Sequence, residues 1–295
     1  MNKAKVLGQV LDGRAIAGKI YDQLRKELAD LKARHGRSPF LLTVQVGFHS
    51  AADLFVRSQM KAASSLGIGY RLERLPADST QPQLVERIRA WNSDPGITGV
   101  TIQFPLPAGI DAREISAALD PHKDAEGIHP QHIGQAMFGW SRIGTCTSLA
   151  ILELINATGA DLYGKEAVVV GHSELIGKPV SLMLLDRFCT TTLCHIATAE
   201  RGRLMEHVRR AEILVVAVGK PHLVKASWIK PGAIVIDVGT SLVNGELQGD
   251  VEFEEAVKVA DFITPVPGGV GPVVVATLMR NTVETFKLQL GGLGV

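Results

Sequence analysis

The sequence predicts an α/β protein with two domains, because short apolar runs alternate with helix-forming segments through both halves of the chain. In the first half, the run at 40–46 follows Pro39 and ends at Gly47, as expected for a buried strand. In the second half, the run at 167–170 leads into a glycine-rich turn and then a helix. Strands separated by helices pair in parallel through right-handed crossovers, so each half should contain a parallel sheet. The length of 295 residues also fits two domains.

The first half opens with a predicted amphipathic helix over 13–35, whose apolar residues recur at helical spacing: Ile16, Ile20, Leu24, Leu28 and Leu31. Strands and helices then alternate, with strands predicted at 40–46, 70–75 and 99–104 and helices at 51–66 and 81–92. Pro105 and Pro107 end the last of these strands, because proline cannot donate a hydrogen bond to a sheet.

The second half repeats the pattern, with strands predicted at 167–170, 190–195, 213–218 and 233–237 and helices at 176–187, 201–210 and 273–288. The stretch 239–250 is rich in Gly, Asn and Asp, which favours a hairpin or a loop. We place the domain limits at 1–145 and 146–272 and expect residues 273–295, which contain the last helix, to pack back onto the first domain.

Composition and charge narrow the possible functions. The chain is 46% hydrophobic and 21% charged with a net charge of +1, which gives little support to nucleic-acid or membrane-surface binding. No apolar run approaches the roughly 18 residues of a membrane span, and the N-terminus lacks the apolar core of a signal peptide. The cysteines have no metal-ligand spacing, and reduced thiols are typical of a cytoplasmic protein. His129 and His132 lack a third ligand at suitable spacing, so no metal is expected.

A turn from Gly171 to Pro179 is the first motif with chemical content. It follows a predicted strand, opens a helix and has the pattern Gly-x-Ser-x-x-x-Gly. Glycine permits close approach of the backbone to a pyrophosphate, and the helix N-terminus supplies free N–H groups. The spacing differs from the usual Gly-x-Gly-x-x-Gly, so by itself it fits a plain strand-to-helix turn equally well. Its place at the start of an α/β unit favours a Rossmann-type dinucleotide-binding domain.

Several further stretches point to one family. The stretch Val46–Lys61 resembles the first signature of the FolD family, folate enzymes with methylenetetrahydrofolate dehydrogenase and methenyltetrahydrofolate cyclohydrolase activity. Other stretches that resemble the family are Gln103–Pro107, Lys123–Gly127, Gly171–Pro179, Ala217–Pro221, Trp228–Ala233, Asp237–Gly239 and Ile263–Pro272. The last is a string of prolines and glycines that specifies one backbone path. The resemblance extends from Leu11 to the last helix.

The resemblance implies a folate site in the first domain. The family uses a Lys, a Gln, a Tyr over the folate and an Asp on the pterin, and these catalytic roles fall here on Gln59, Gln103, Phe55 and Glu126. Only Gln103 keeps the residue of the family. The implied substrate-binding residues are the same four together with Ile102, Phe104, Pro267, Gly268, Gly269, Val270, Gly271 and Pro272.

The replacement of the family's Lys by Gln59 separates its two activities. Attack of water on the methenyl carbon requires a group that moves protons, and a carboxamide does not titrate near neutral pH. Hydride transfer mainly requires alignment of the methylene carbon with the nicotinamide. We therefore expect a dehydrogenase of one-carbon metabolism with weak or lost cyclohydrolase activity. Two alternatives stay open: a bifunctional enzyme that uses Lys61 or a water held by Gln59, and a non-catalytic folate-binding protein.

The resemblance also implies a dinucleotide site formed by Gly171, His172, Ser173, Ile176, Gly177, Ile196, Val218, Gly219 and Thr240. In NADP-dependent members an Arg and a Ser hold the 2′-phosphate, and His172 and Ile196 occupy these positions here. A neutral His is a weak phosphate partner and Ile offers no polar group, so NAD is expected rather than NADP. Arg201 and Arg203 are interpreted as a solvated helix face, with contact to a 2′-phosphate as the alternative. Members of the family are usually homodimers, and the same is expected here.

Overall fold

The computed structural model describes residues 8–47, 50–139 and 142–291. They form two compact units, one made of the chain up to Gly18 with Thr147–Val274, and the other of Lys19–Cys146 with the chain from Val275. The expected α/β class with two parallel sheets is confirmed. The domain limits given above stay a prediction.

Part of the sequence argument falls outside the described residues. Phe48 and His49, within the first family signature, and residues 1–7, used in the signal-peptide argument, are not among them. Within the described ranges, no group of three or more His, Cys, Asp or Glu side chains is placed to hold a metal ion. In that same part of the chain, the helices are too short or too polar to cross a membrane. The three cysteines are free and buried: Cys146, Cys189 and Cys194.

The strands are, in chain order, β1 (Gln9–Val10), β2 (Phe40–Val46), β3 (Gly69–Leu75), β4 (Gly99–Ile102), β5 (Glu166–Val170), β6 (Thr190–Cys194), β7 (Ile213–Val216), β8 (Ile234–Asp237), β9 (Ser241–Val243), β10 (Glu246–Gln248) and β11 (Phe262–Ile263). The α-helices are α1 (Gly13–His35), α2 (Ser50–Leu66), α3 (Gln81–Ser93), α4 (Ala112–Ala118), α5 (Pro130–Met137), α6 (Cys146–Asn156), α7 (Gly177–Leu185), α8 (Ile196–Glu200), α9 (Leu204–Arg210), α10 (Phe253–Ala256) and α11 (Val270–Leu290). Short 3₁₀ helices occur at Pro121–Lys123 and Ala226–Trp228.

The unit that contains Thr147–Val274 has a parallel sheet in the order β1-β11-β8-β7-β5-β6. The order reverses at β5, because β6 pairs with one side of β5 and β7 with the other. Such a reversal opens a crevice at the carboxyl ends of the strands, where α/β proteins bind ligands. The aliphatic residues Val168, Leu214 and Val235 lie in the core of this unit. The fold therefore places the residues after β5 and β7 at one candidate binding edge.

The other unit has a smaller parallel sheet in the order β3-β2-β4. One face of β2 carries Leu42, Val44 and Val46, which belong to a hydrophobic core shared with α3. Side chains alternate along a strand, so the other face carries Thr43 and Gln45. These two polar side chains are buried even though the rest of β2 is apolar. The second face of this sheet is therefore a candidate site.

The structure differs from the predicted elements at several places. The predicted helix 201–210 begins at Leu204 and is preceded by the separate helix α8, because Gly202 lies between them with φ +68°. The stretch 239–250 contains the β9–β10 hairpin, turned at Asn244 and Gly245 with φ +51° and +85°. The last helix begins at Val270, so the end of the Pro/Gly string forms its first turn. Strand β1 was not predicted, because two exposed residues carry no pattern and only pairing with β11 defines them.

Candidate active site

The second face of the small sheet collects polar side chains from neighbouring strands. The parallel register sets Thr43 on β2 opposite Thr101 on β4. Gln45 and Gln103 lie two residues further along their strands and therefore share this face. All four side chains are at least nine-tenths buried. Buried polar groups require hydrogen-bond partners, so this face either forms an internal network or binds a ligand.

Gln59, on α2, is fully buried against this face. Its Oε1 accepts hydrogen bonds from the Thr43 hydroxyl at 3.1 Å and from the Tyr70 hydroxyl at 3.4 Å. Its Nε2 has no partner among the described residues. A buried donor without a partner costs about 1–3 kcal/mol, so the amide N–H groups are available to an acceptor on a bound molecule. Lys61, two residues further along α2, is exposed.

Glu126 lies in the loop that follows Asp124 and is joined to the same face. The Thr101 hydroxyl donates to Glu126 Oε2 at 2.8 Å, and Gln103 Nε2 donates to Thr101 Oγ1 at 3.5 Å. Burial raises the pKa of Glu126 to about 7, and the nearby Asp124 adds to this shift while the Thr101 hydrogen bond opposes it. Two of the predicted catalytic residues, Gln103 and Glu126, are therefore connected through one threonine hydroxyl.

The backbone of the Glu126 loop is held from two sides. Asp124 is fully buried, and its Oδ1 accepts from the backbone N–H groups of Glu126 at 3.1 Å and Gly127 at 3.0 Å. Asn281, on α11, donates from Nδ2 to the carbonyls of Ala125 at 3.0 Å and Gly144 at 2.9 Å. These contacts fix where the Glu126 side chain leaves the backbone.

The apolar residues predicted around the folate are not all brought together. Phe55 lies four residues before Gln59, hence one turn earlier on the same face of α2, and is partly exposed. Phe104 follows β4 and is also partly exposed. Ile102 instead points to the opposite face of β4, where it is buried in the core with Leu84 and its neighbours. Ile102 therefore has a core position and does not share the polar face that carries Gln103.

The predicted substrate-binding residues 267–272 belong to the unit that contains Thr147–Val274. The backbone N–H of Gly13 donates to the Gly268 carbonyl at 3.0 Å, and the N–H of Gly269 donates to the Pro265 carbonyl at 2.9 Å. A Cβ placed on Gly13 would lie 1.7 Å from the Gly269 carbonyl oxygen. The Pro/Gly string is therefore packed directly on the start of α1, and its path depends on glycine at both positions.

The dinucleotide turn lies after β5, next to the reversal of strand order. Gly171 has φ +117°, and a Cβ placed there would lie 2.2 Å from the Ala217 carbonyl oxygen. A Cβ on Gly177 would lie 1.8 Å from the Gly171 carbonyl oxygen. Ser173 Oγ accepts from the backbone N–H groups of Ile176 at 3.2 Å and Gly177 at 3.4 Å. The tight turn permits close approach of the backbone to a pyrophosphate. The free N–H groups expected at the start of α7 are not found, because Gly177 N–H donates to Ser173 Oγ and Lys178 N–H donates to the Ser173 carbonyl at 3.0 Å.

The loops after β7 and β8 complete this edge. The buried Asp250 accepts through Oδ2 from the backbone N–H groups of Val218 at 2.7 Å and Gly219 at 3.0 Å. Ser241 Oγ donates to the Gly219 carbonyl at 3.3 Å, and Thr240 beside it is exposed. Burial raises the pKa of Asp237, at the end of β8, to about 7. The hydrogen bonds to the Asp250 carboxylate therefore fix the backbone at Val218 and Gly219, two residues of the predicted dinucleotide site.

The two positions predicted to decide between NAD and NADP lie at the ends of β5 and β6. His172 and His195 are exposed, with ring centroids 5.4 Å apart. Ile196 is 61% exposed, which is unusual for an isoleucine and leaves an apolar surface there. In dinucleotide-binding folds, an acid for the ribose hydroxyl or an Arg for a 2′-phosphate lies near these strand ends. Neither an acid nor an Arg occurs at His172, His195 or Ile196.

Sequence reasoning missed the residues that hold the predicted ones in place: Thr43, Tyr70, Thr101, Asp124, Asp250 and Asn281. The polar residues that interrupt the apolar strand β2 were a usable signal, because a buried strand without function is normally apolar throughout. Asn281 gave no local signal, since its partners lie far away in the sequence.

One unit has a parallel sheet whose strand order reverses and a glycine-tight turn between β5 and α7, which together define a nucleotide-binding α/β protein. Two family descriptions match the chain: "Tetrahydrofolate dehydrogenase/cyclohydrolase, catalytic domain" over residues 11–126, and "Tetrahydrofolate dehydrogenase/cyclohydrolase, NAD(P)-binding domain" over residues 145–290. The chain belongs to the tetrahydrofolate dehydrogenase/cyclohydrolase family, so the resemblance to FolD proteins is confirmed.

Individual relatives agree along nearly the whole chain. The "Bifunctional protein FolD" of Acetivibrio thermocellus is 44% identical over 282 residues, which cover 95% of this chain and 98% of the relative. The FolD crystal structure from Trypanosoma brucei, complexed with NADP cofactor and an inhibitor, has 38% identity and a TM-score of 0.92, covering 97% of this chain and 99% of that one. The FolD structure from Campylobacter jejuni has 36% identity and a TM-score of 0.90, covering 95% and 99%.

Proposed function

We propose that this protein is a 5,10-methylenetetrahydrofolate dehydrogenase whose cyclohydrolase activity is weak or lost. Family membership supports the folate and nicotinamide chemistry. The single observation that carries the finer proposal is Gln59, a fully buried carboxamide whose oxygen accepts from the Thr43 and Tyr70 hydroxyls. At the position where the family has its lysine, this chain has a group that donates hydrogen bonds but does not exchange protons near neutral pH.

Hydride removal is compatible with this arrangement. A bound nicotinamide cofactor supplies the hydride acceptor. The lone pair of the folate N10 supports departure of hydride from the methylene carbon, so the protein chiefly has to hold that carbon in place. We assign the pterin to Glu126, the stacking contact to Phe55, and donor contacts to Gln59 and Gln103. The free N–H groups on Gln59 Nε2 support its role as a donor.

Hydrolysis of the methenyl product needs a base for the attacking water, which is typically worth about 10²–10⁴-fold. Lys61 is a poor substitute because it is exposed while Gln59 is buried. One observation favours some residual hydrolysis: burial brings the pKa of Glu126 to about 7, so this carboxylate titrates in the working range of pH. A second candidate function is therefore a slow bifunctional enzyme in which Glu126 accepts the proton.

For the cofactor we propose NAD in preference to NADP. The exposed Ile196 offers no polar side-chain atom to a 2′-phosphate, and His172 lacks the two-point guanidinium of the Arg found in NADP-dependent members. We further propose a cytoplasmic homodimer that binds neither nucleic acid nor membranes. Light scattering of the purified chain tests the oligomeric state, and a monomeric mass would contradict it.

The decisive experiment measures methylenetetrahydrofolate oxidation with each nicotinamide, and methenyl hydrolysis separately, in four proteins: wild type, Gln59→Lys, Lys61→Ala and Glu126→Gln. We expect oxidation with a lower KM for NAD, and hydrolysis that rises by about 10²-fold or more in Gln59→Lys. Lys61→Ala is the matched control and should change neither rate. Hydrolysis in the wild type at the level of Gln59→Lys would refute the proposal. Loss of hydrolysis in Glu126→Gln with methylenetetrahydrofolate oxidation and its KM retained would favour the second candidate.

A further inference from the structure

Thr101 lies between two residues assigned to the folate site. It is fully buried on β4, its hydroxyl donates to Glu126 Oε2 at 2.8 Å, and its Oγ1 is 3.5 Å from Gln103 Nε2. Its position in the strand places it on the same face as Gln103. A threonine hydroxyl both donates and accepts, so Thr101 can serve the two neighbours at once.

The hydroxyl acts on the part of Glu126 that the rest of the loop leaves free. Asp124 and Asn281 hold the backbone on either side of Glu126. A glutamate has one more rotatable bond than the aspartate found in the family, and fixing extra rotamers costs conformational entropy. The hydrogen bond from Thr101 selects one conformation of that longer side chain.

We propose that Thr101 is a positioning residue for pterin binding, because its hydroxyl fixes the Glu126 carboxylate and thereby compensates for the additional methylene. This inference rests on the proposed function through the assignment of the pterin to Glu126. It predicts that the two positions are coupled: the hydroxyl matters when residue 126 is Glu and loses its importance when residue 126 is Asp, whose shorter side chain does not reach Thr101 in the same way.

The charges around Glu126 determine how the coupling responds to pH. Asp124 on the same loop raises the pKa of Glu126, and the Cys146 thiol, His129 and His132 are the other titratable groups near this loop. Arg280 on α11 acts electrostatically on Cys146. Donation from Thr101 lowers the pKa of Glu126 against its burial. Without the hydroxyl, the pKa of Glu126 rises further, so the acidic limb of kcat/KM for the folate moves to higher pH.

The test is a double-mutant cycle of Thr101→Val with Glu126→Asp, using the KM and kcat for methylenetetrahydrofolate and the Kd of tetrahydrofolate from isothermal titration. We expect Thr101→Val to raise KM and Kd about tenfold in the Glu126 background, with kcat changed less than about twofold. In the Glu126→Asp background, Thr101→Val should change KM and Kd by less than about twofold. Thr101→Ser, which keeps the hydroxyl, should restore wild-type KM and the wild-type pH profile.

Thr282→Val is the matched control, because Thr282 is also a fully buried threonine but its hydroxyl donates to the Leu278 carbonyl of its own helix at 2.8 Å. It should leave KM unchanged. Equal effects of Thr101→Val in both backgrounds would overturn the inference, as would a failure of Thr101→Ser to restore KM. If positions 101 and 126 are coupled in tetrahydrofolate binding but methylenetetrahydrofolate is not turned over, only the proposed dehydrogenase activity is refuted. If tetrahydrofolate does not bind at all, both proposals fall.

Discussion

The dinucleotide turn and the polar face of the small sheet are built by different means. At the turn, backbone approaches backbone: a Cβ on Gly177 would lie 1.8 Å from the Gly171 carbonyl oxygen. On the polar face, side chains from β2, β3, β4 and α2 meet, and the arrangement depends on hydroxyls such as those of Thr43 and Thr101. A backbone-built site tolerates few substitutions, whereas a side-chain-built site changes its chemistry through single substitutions.

The largest expected effect follows from adding one methyl group to the turn. Gly177→Ala should weaken dinucleotide binding by about 100-fold or more, because the new Cβ would overlap the Gly171 carbonyl and force the turn open. Fluorescence titration with NADH measures it. Gly18→Ala is the control, since a Cβ there meets nothing within 4 Å and should stabilise α1 slightly. Wild-type NADH affinity in Gly177→Ala would show that the turn is not built by backbone contact.

On the side-chain-built face, the next effect concerns Asn281. Asn281→Ala should lower the free energy of unfolding by about 2–3 kcal/mol, because the Ala125 and Gly144 carbonyls lose their donor. The KM for the folate should also rise, since the Glu126 loop loosens. Gln289→Ala removes a donor to the Thr98 and His122 carbonyls instead. Urea unfolding and steady-state kinetics should show similar destabilisation in both variants, but a raised KM in Asn281→Ala alone.

Glu126 allows a test of how much stability the polar face gives up for its function. Its pKa is raised to about 7 in the folded protein from 4.5, so ionisation is disfavoured by folding at pH 8, whereas below 4.5 the carboxyl is neutral in both states. Glu126→Gln should therefore raise the free energy of unfolding by about 2 kcal/mol at pH 8 and by much less at pH 4.5. Unfolding curves at both pH values check this, and equal gains would contradict it.

The smallest effect concerns cofactor choice. His172→Arg should lower the KM for NADP about tenfold and leave the KM for NAD nearly unchanged, because a guanidinium pairs with a phosphate in two-point geometry. His35→Arg adds the same charge at the exposed end of α1 and serves as the control. An unchanged NADP KM would mean that the exposed Ile196 alone excludes the phosphate.

The two regions also differ in how far the sequence predicts them. The strands, the parallel pairing and the turn at Gly171 follow from apolar runs and glycine positions, which act locally. Gln59, Gln103 and Glu126 were identified by resemblance, but Thr101 and Tyr70, which hold them, are brought there by strand register across the sheet. Ile102 was assigned to the substrate by the same resemblance, although alternation along β4 turns its side chain into the core. Asn281 acts on partners about 140 to 160 residues away, which no local pattern encodes.

The hydroxyl pair around position 59 has an evolutionary consequence. Hydroxyls rotate, so Thr43 and Tyr70 can turn from donors to an amide oxygen into acceptors for an ammonium group without any movement of the backbone. The hydroxyls therefore offer a partner to a glutamine or to a lysine at position 59, and a single base change interconverts the codons of these two residues. If residue 59 decides between the two chemistries as proposed, one mutational step is enough to exchange them.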